Sequence, residues 1–168
     1  MRVFSLIVAL ILTSTPAWAS SSDGWTALRN KRFGFRLEYP ARLFQPDRTS
    51  QAGDGMVLVS REGSARLLVG AFVNNARHSP ARYQAYLAQN SYPTFPVTYA
   101  PRGRSWFALS GEGHGKIFYE KVMFSCSGLV IASFAMTYPI VTRHHLIRLW
   151  NGLKTHSGPA MDAIDMPV

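Results

Sequence analysis

The alternation of apolar and polar residues predicts short strands along most of the chain. Residues 33–39 are apolar at odd positions and Gly or charged at even positions, which is typical of a strand with one buried and one wet face. Pro40 ends this strand. Residues 42–55 are predicted to be a long connection that closes with a Gly-Asp-Gly turn, and residues 56–60 a short apolar strand.

Residues 65–73 are predicted to form a strand that is apolar on both faces. Leu67 and Val69 point to one face. Leu68 and Phe72 point to the other. Such a strand is typical of the centre of a covered sheet. We therefore expect helices over both faces and equal burial of these four side chains.

Helical signals occur at two places. Ser79 followed by Pro80 is an N-cap and a first-turn proline, which predicts a helix over residues 80–89. Apolar residues at helical spacing predict a second helix over residues 141–154, with Trp150 on the face that covers the sheet. Between these helices, four apolar segments joined by short Gly-containing loops predict the strands of an antiparallel meander. The segments are residues 97–100, 105–110, 116–124 and 129–138.

Together these elements predict one α+β domain over residues 20–157. It would contain a central, mainly antiparallel sheet of about six to seven strands with helices packed on its faces. Residues 158–168 are predicted to be a loose tail.

The first nineteen residues predict export. Arg2 is followed by an apolar stretch at residues 3–12, and Ala17-Trp18-Ala19 is a small-x-small cleavage site before Ser20. This is the layout of a signal peptide, so we expect cleavage between Ala19 and Ser20 and a periplasmic or secreted product. The apolar stretch is about half of the roughly twenty residues that a membrane span needs, so no transmembrane segment is expected.

The chain is strongly basic, with a formal net charge of +9. An exported basic domain is compatible with an anionic surface or partner, but the arginines are scattered along the chain, which favours a composition bias of the source genome. Basic residues do not cluster with aromatic ones, so nucleic acid is not an expected partner. The single cysteine, Cys126, excludes an intrachain disulfide and is interpreted as a small apolar filler. A monomer without a cofactor is expected.

Four residues are candidates for ligand binding. Glu112 and His114 lie in a Gly-Glu-Gly-His-Gly segment and could act as an acid–base pair near Tyr119. Glycines at alternating positions are also what a wide, twisted hairpin requires. Trp106 and the aromatic residues that follow it could line an apolar cleft, or could simply be core.

No catalytic or metal-binding residue is predicted. The chain has no Gly-x-Ser-x-Gly elbow around an activated serine. His144 and His145 are neighbours on the second predicted helix, where they point about 100° apart and cannot chelate one metal.

Several short motifs resemble those of small exported bacterial proteins of unknown function. They are Asn-Lys-Arg-Phe-Gly-Phe at 30–35 leading into Tyr39-Pro40, Gly-Asp-Gly at 53–55, Phe-Tyr-Glu-Lys at 118–121 and Met-Thr-Tyr-Pro at 136–139. The element order over residues 25–153 is similar to the PsbP-like fold of the extrinsic subunit of the oxygen-evolving complex and of a Ran-binding nuclear import factor. The resemblance implies an α/β/α sandwich and a binding or assembly role, and carries over no site residue.

The leading functional hypothesis is a non-enzymatic exported binding or assembly module for a protein or small ligand of the cell envelope. The alternative is a small envelope hydrolase with a site near Glu112, His114 and Tyr119. The two hypotheses differ in one spatial requirement, because hydrolysis needs these three side chains to converge in one cleft.

Overall fold

The computed structural model describes residues 24–143 and the backbone of residues 155–156. This part of the chain is α+β and mainly antiparallel, as predicted. The strands are β1 (Trp25–Arg29), β2 (Arg36–Pro40), β3 (Phe44–Thr49), β4 (Gly55–Ser60), β5 (Arg66–Val73), β6 (Val97–Tyr99), β7 (Trp106–Gly113), β8 (Lys116–Ser125), β9 (Val130–Pro139) and β10 (Thr155–His156). The helix α1 (Pro80–Asn90) lies between β5 and β6. No helix among the described residues is long and apolar enough to cross a membrane.

The strands form two sheets. The larger has seven strands in the order β3-β4-β5-β9-β8-β7-β6, and the smaller has three in the order β1-β2-β10. Every pairing is antiparallel. Within the larger sheet, β3, β4 and β5 pair in chain order, and so do β6, β7, β8 and β9. The pairing of β5 with β9 joins these two groups of described strands into one sheet.

Each face of the seven-stranded sheet carries its own apolar cluster. One face, here called the small-sheet face, buries Leu67, Phe134 and Met136 against Leu37 of β2. The other, here called the helix face, packs side chains of β7, β8 and β9 against Leu87 of α1. Those strand residues are Phe107, Leu109, Phe118, Val122, Phe124 and Ile131.

The prediction that both faces of β5 are equally buried is wrong. Leu67 and Val69 are 1% and 5% exposed, whereas Leu68 and Phe72 are 46% and 40% exposed. Leu68 and Phe72 lie on the helix face, where α1 packs over β7–β9 and leaves the β4–β5 half open among the described residues. The apolar residues on both faces of β5 therefore do not mean that another element packs on each face.

The second predicted helix falls almost entirely outside the described residues. Within residues 141–154, only the first three are described, and Ile140–Thr142 forms a short 3-10 helix. The predicted placement of Trp150 also lies outside the described residues.

Three strands were not predicted: β1, β3 and the two-residue β10. Most of β3 is exposed, and its pairing with β4 is interrupted by a register shift between Pro46 and Arg48. The predicted connection over residues 42–55 therefore contains an edge strand, whose polar residues, proline and bulge hide the alternating pattern. The strand β1 is half-exposed, and its partly buried and exposed residues do not alternate. The first predicted strand, residues 33–39, begins only at Arg36.

Truncation of neighbouring leucines in β5 tests the difference between the faces. Leu67→Ala should lower the free energy of unfolding by about 2–5 kcal/mol, because it leaves a cavity in a closed core. Leu68→Ala should lower it by about 1 kcal/mol or less, because nearly half of this side chain is already in water. Urea unfolding of both variants makes the comparison. Equal losses would show that the helix face is covered at this point.

Candidate functional site

The Gly-Glu-Gly-His-Gly segment closes the β7–β8 hairpin. Glu112 lies on the small-sheet face and accepts a hydrogen bond from Arg143. His114 has a φ of 52°, and its ring meets that of Phe95 edge-on at 6.0 Å on the helix face. Tyr119 is 1% exposed in the core of the small-sheet face. Glu112 and Tyr119 thus share a face that His114 does not, so the three side chains do not converge in the way that hydrolysis requires.

Trp106 differs from the aromatic residues around it. Its side chain is 37% exposed, and the Nζ atom of Lys121 lies 5.5 Å from the centroid of its ring. Five other aromatic residues of the meander are buried, in agreement with their interpretation as core. They are Phe107, Phe118, Tyr119, Phe124 and Phe134.

A cleft of about 1060 Å³ opens at the other end of β8. Its walls come from the β1–β2 turn, the loop between β5 and α1, the loop before β7, and the β8–β9 turn. The lining residues are Phe33, Gly34, Asn74, Arg77, His78, Ser79, Pro80, Arg104, Ser105, Phe124, Ser125, Cys126, Ser127 and Gly128. At about 3.3 Å per residue, this end of β8 lies about 30 Å from the β7–β8 turn.

Asn74 holds two walls of the cleft together. Its side-chain Nδ2 donates to the carbonyl oxygens of His78 and Gly128, each at 2.9 Å. Its Oδ1 accepts from the backbone N–H of His78 at 3.0 Å, and its own N–H donates to the carbonyl of Leu129 at 2.8 Å. Since Asn74 is buried, these bonds fix the β5–α1 loop against the β8–β9 turn before any ligand arrives.

Both of these loops carry unusual backbone conformations. Arg77, Cys126 and Ser127 have φ values of 50°, 51° and 56°, in the left-handed region that non-glycine residues seldom occupy. Such conformations persist where surrounding contacts impose them, and they concentrate at binding and catalytic sites. Cys126 is exposed in the turn, so its interpretation as a buried filler is wrong.

The charge on the cleft is positive. Arg77 and Arg104 line it, and both are exposed, whereas none of the described lining residues is acidic. The amino end of α1 begins here at its N-cap Ser79, whose side chain accepts from the N–H of Arg82. The dipole of the helix adds positive potential at this end. The cleft is therefore suited to an anion.

His78 is the polar lining residue with an unsatisfied atom. Its Nδ1 is buried and has no hydrogen-bond partner among the described residues. The ring lies beside those of Tyr83 and Tyr86, with centroid distances of 5.7 and 6.2 Å. Because His78 also lines the cleft, this nitrogen is a polar group of the lining that the described residues leave without a partner.

A separate buried carboxyl lies on the helix face, away from the cleft. Glu120 accepts hydrogen bonds from the hydroxyl of Tyr92 at 2.7 Å and from that of Ser133. Burial raises the pKa of Glu120 above its usual value, against the opposing effect of these two bonds. Burial, reinforced by the charge of Glu120, also raises the pKa of Tyr92, and that of Tyr83 to about 12. The carboxyl is enclosed by donors, so it serves the packing of α1 and its following loop.

No metal centre is formed by the described residues, where three or more His, Cys, Asp or Glu side chains nowhere group closely enough to hold an ion.

Sequence reasoning missed the residues of the cleft. The missed residues come from three stretches of the chain, around residues 74–78, 104 and 128, which the pairings of β5 with β9 and of β7 with β8 bring together. The available signals were the Asn-Asn break after β5 and the Ser-Pro helix start, which mark a loop but not what it faces.

Comparison with known proteins does not identify a family for this chain. No family model matches the chain. No curated protein matches it either. A solved structure from Bacteroides thetaiotaomicron VPI-5482 is similar with a TM-score of 0.39 and 13% sequence identity. The match covers 74% of this chain and 46% of that one, so this chain spans about half of that protein's length. A likeness at this level carries no argument about family or function.

Replacement of Asn74 tests its part in the cleft. Asn74→Ala should lower the free energy of unfolding by about 1–3 kcal/mol, because it leaves buried backbone groups of two loops without partners. Asn75→Ala is the matched control, since the neighbouring side chain is exposed and should cost about 0.5 kcal/mol or less. Thermal or urea unfolding measures both. Similar effects at the two positions would contradict the structural role of Asn74.

Replacement of Glu120 tests the buried carboxyl by pH. Because the folded-state pKa is raised, the contribution of Glu120 to stability is fully present below the unfolded value, near 4.5, and is lost as the pH rises through the folded value. The free energy of unfolding of Glu120→Gln should therefore increase relative to the unmodified protein as the pH rises from about 4 to 8. Urea unfolding at several pH values measures this difference.

The control is Glu62→Gln in the exposed β4–β5 turn. A backbone hydrogen bond holds the pKa of Glu62 below its usual value, so the contribution of Glu62 is lost only as the pH falls below about 4.5, and the difference for this variant should stay nearly constant from about pH 5 to 8. A Glu120→Gln difference that does not change with pH would show that this carboxyl is not desolvated.

Proposed function

We propose that this chain is an exported, non-enzymatic binding module that holds the anionic group of a cell-envelope ligand between Arg77 and Arg104. One observation carries the proposal: two arginines line the cleft, and none of its described lining residues is acidic. Guanidinium groups recognise anionic oxygens with paired hydrogen bonds and retain their charge at any physiological pH.

Two further features support binding at this cleft. The Asn74 bonds organise the walls in advance, which reduces the ordering cost of binding. The full chain has a net charge of +9, and cleavage that removes Arg2 would leave +8 on the domain, which would raise the local concentration of anions and speed their association. The side chains here supply cations, hydroxyls and apolar surface, which suit recognition of a small ligand.

Export and the wider architecture are parts of the same proposal. Export rests on the signal-peptide pattern of residues 1–19, and the cleavage predicted between Ala19 and Ser20 would release a periplasmic or secreted domain. The PsbP-like α/β/α arrangement needs a second helix, which is predicted over residues 141–154. The binding or assembly role of that group agrees with a ligand cleft, although an analogy of fold is a weak argument for function.

Binding of an anionic aromatic dye tests the proposal. The full mature chain should bind 1-anilinonaphthalene-8-sulfonate with a rise in dye fluorescence, and Arg104→Gln should weaken its affinity about tenfold or more, because one charge-assisted contact is lost. Arg77→Gln should act in the same direction. Fluorescence titration at fixed ionic strength measures each affinity.

The matched control is Lys116→Gln, which removes one positive charge about 30 Å away at the start of β8. This variant should bind the dye with nearly unchanged affinity. If Lys116→Gln and Arg104→Gln weaken binding equally, net charge and not the cleft is responsible, and the proposal is wrong.

A further inference from the structure

Resting on the proposed function, we infer that the ligand of the cleft is a phosphate monoester with an apolar substituent, and that His78 Nδ1 donates to its phosphate. Three observations lead to this class of ligand: the two arginines, the unpartnered buried nitrogen of His78, and the aromatic walls of the same cleft.

The polar groups favour phosphate over a single carboxylate. A phosphate monoester carries between one and two negative charges at neutral pH and three terminal oxygens that accept hydrogen bonds. The cleft offers two guanidinium groups and the positive end of α1, with hydroxyls of Ser79 and Ser105 on its walls. A carboxylate has one charge and would satisfy fewer of these donors.

His78 is anchored beside the cleft through its backbone. Asn74 bonds both the N–H and the carbonyl of its backbone, and Tyr83 and Tyr86 lie beside its ring. A buried polar atom without a partner destabilises the fold, so a protein seldom keeps one without a use. A turn of the ring would bring Nδ1, which is buried in this structure, to the cleft, where a phosphate oxygen would accept from it in the tautomer that carries the proton on Nδ1.

The rest of the lining is apolar. Phe33, Pro80 and Phe124 line the same cleft as the arginines. Its volume of about 1060 Å³ is at the upper end of the range for small-molecule sites, and one phosphate ion would fill only a small part of it. An ester with an aromatic or alkyl group can use both halves, because its apolar part would lie against Phe33 and Pro80, which are partly exposed.

Two sources supply this chemistry. One is a free organic phosphate of the cell envelope, and the other is the headgroup of a phosphatidic acid lipid. Both present a phosphate monoester next to an apolar group, so the cleft itself accepts either. Their difference is accessibility, since a lipid must be reached at a membrane surface.

Calorimetric titration of the full mature chain compares three soluble probes. Phenyl phosphate should bind about tenfold more tightly than benzoate, since it can make at least one additional charge-assisted hydrogen bond. It should also bind more tightly than inorganic phosphate, which has no apolar part. Phenyl phosphate that binds no better than benzoate would overturn the inference.

Substitution of His78 identifies the donor. His78→Phe keeps an aromatic ring beside Tyr83 and removes Nδ1, so it should abolish the preference for phenyl phosphate over benzoate. His78→Asn retains a short side-chain N–H donor and should restore part of that preference. Urea unfolding checks that both variants are folded, and Lys116→Gln is again the charge control. An unchanged preference in a folded His78→Phe protein would overturn the role of His78.

The two sources are separated with vesicles. Phosphatidylcholine vesicles with and without phosphatidic acid are mixed with the full mature chain and sedimented. Binding to phosphatidic acid vesicles that His78→Phe abolishes supports the lipid as the source, whereas tight binding of phenyl phosphate without vesicle binding supports a free ester. Failure of both probes would overturn the inference.

The inference and the proposed function fail in different ways. If Arg104→Gln weakens dye binding but phenyl phosphate shows no advantage over benzoate, the anion site stands and the phosphate assignment is wrong. If Arg104→Gln does not weaken dye binding more than Lys116→Gln does, the anion site itself is wrong, and the inference is lost with it.

Discussion

The antiparallel pairing of β5 with β9 is the contact on which the rest of the structure depends. It joins residues that are about sixty positions apart in the sequence and turns two local groups of strands into one sheet. Side chains on its small-sheet face, such as Leu67 and Met136, are in the main core. Closing so long a loop is entropically costly, so the ladder must gain its stability from the apolar area it buries.

The same ladder also builds the cleft. Val73 pairs with Val130 at its end, and the chain then leaves both strands into loops that lie next to each other. Asn74 is the first residue after β5, and its bonds to Leu129 and Gly128 continue the ladder beyond the last pair. The core therefore also shapes the cleft, because it fixes the ends of β5 and β9, and these ends position the loops that line the cleft.

The elements that sequence patterns predicted are those whose residues face the core. The helix α1 was found from its Ser-Pro start, and β4, β5, β8 and β9 from their apolar runs. The edge strands β1, β3 and β10 were not found, because a short or half-exposed edge has little alternation to detect. The openness of the helix face at Leu68 was also missed, since periodicity reports which residues are apolar and not what covers them.

The candidate site was harder to predict for a different physical reason. Glu112 and His114 are close in sequence, yet the pleat of β7 and the following turn place them towards opposite faces of the sheet. Arg77 and Arg104 are distant in sequence, yet they share a cleft. Proximity of functional side chains is set by strand pairing, which a single sequence does not reveal.

The buried polar groups of this domain explain why the cleft, and not the carboxyl of Glu120, is the better candidate for recognition. Glu120 has a raised pKa, but Tyr92 and Ser133 already satisfy its oxygens, so a ligand would have to displace bonds that exist. His78 is less buried, and its Nδ1 has no partner among the described residues. A ligand gains most where a polar atom has no partner within the protein, since a bond to that atom replaces none within the fold.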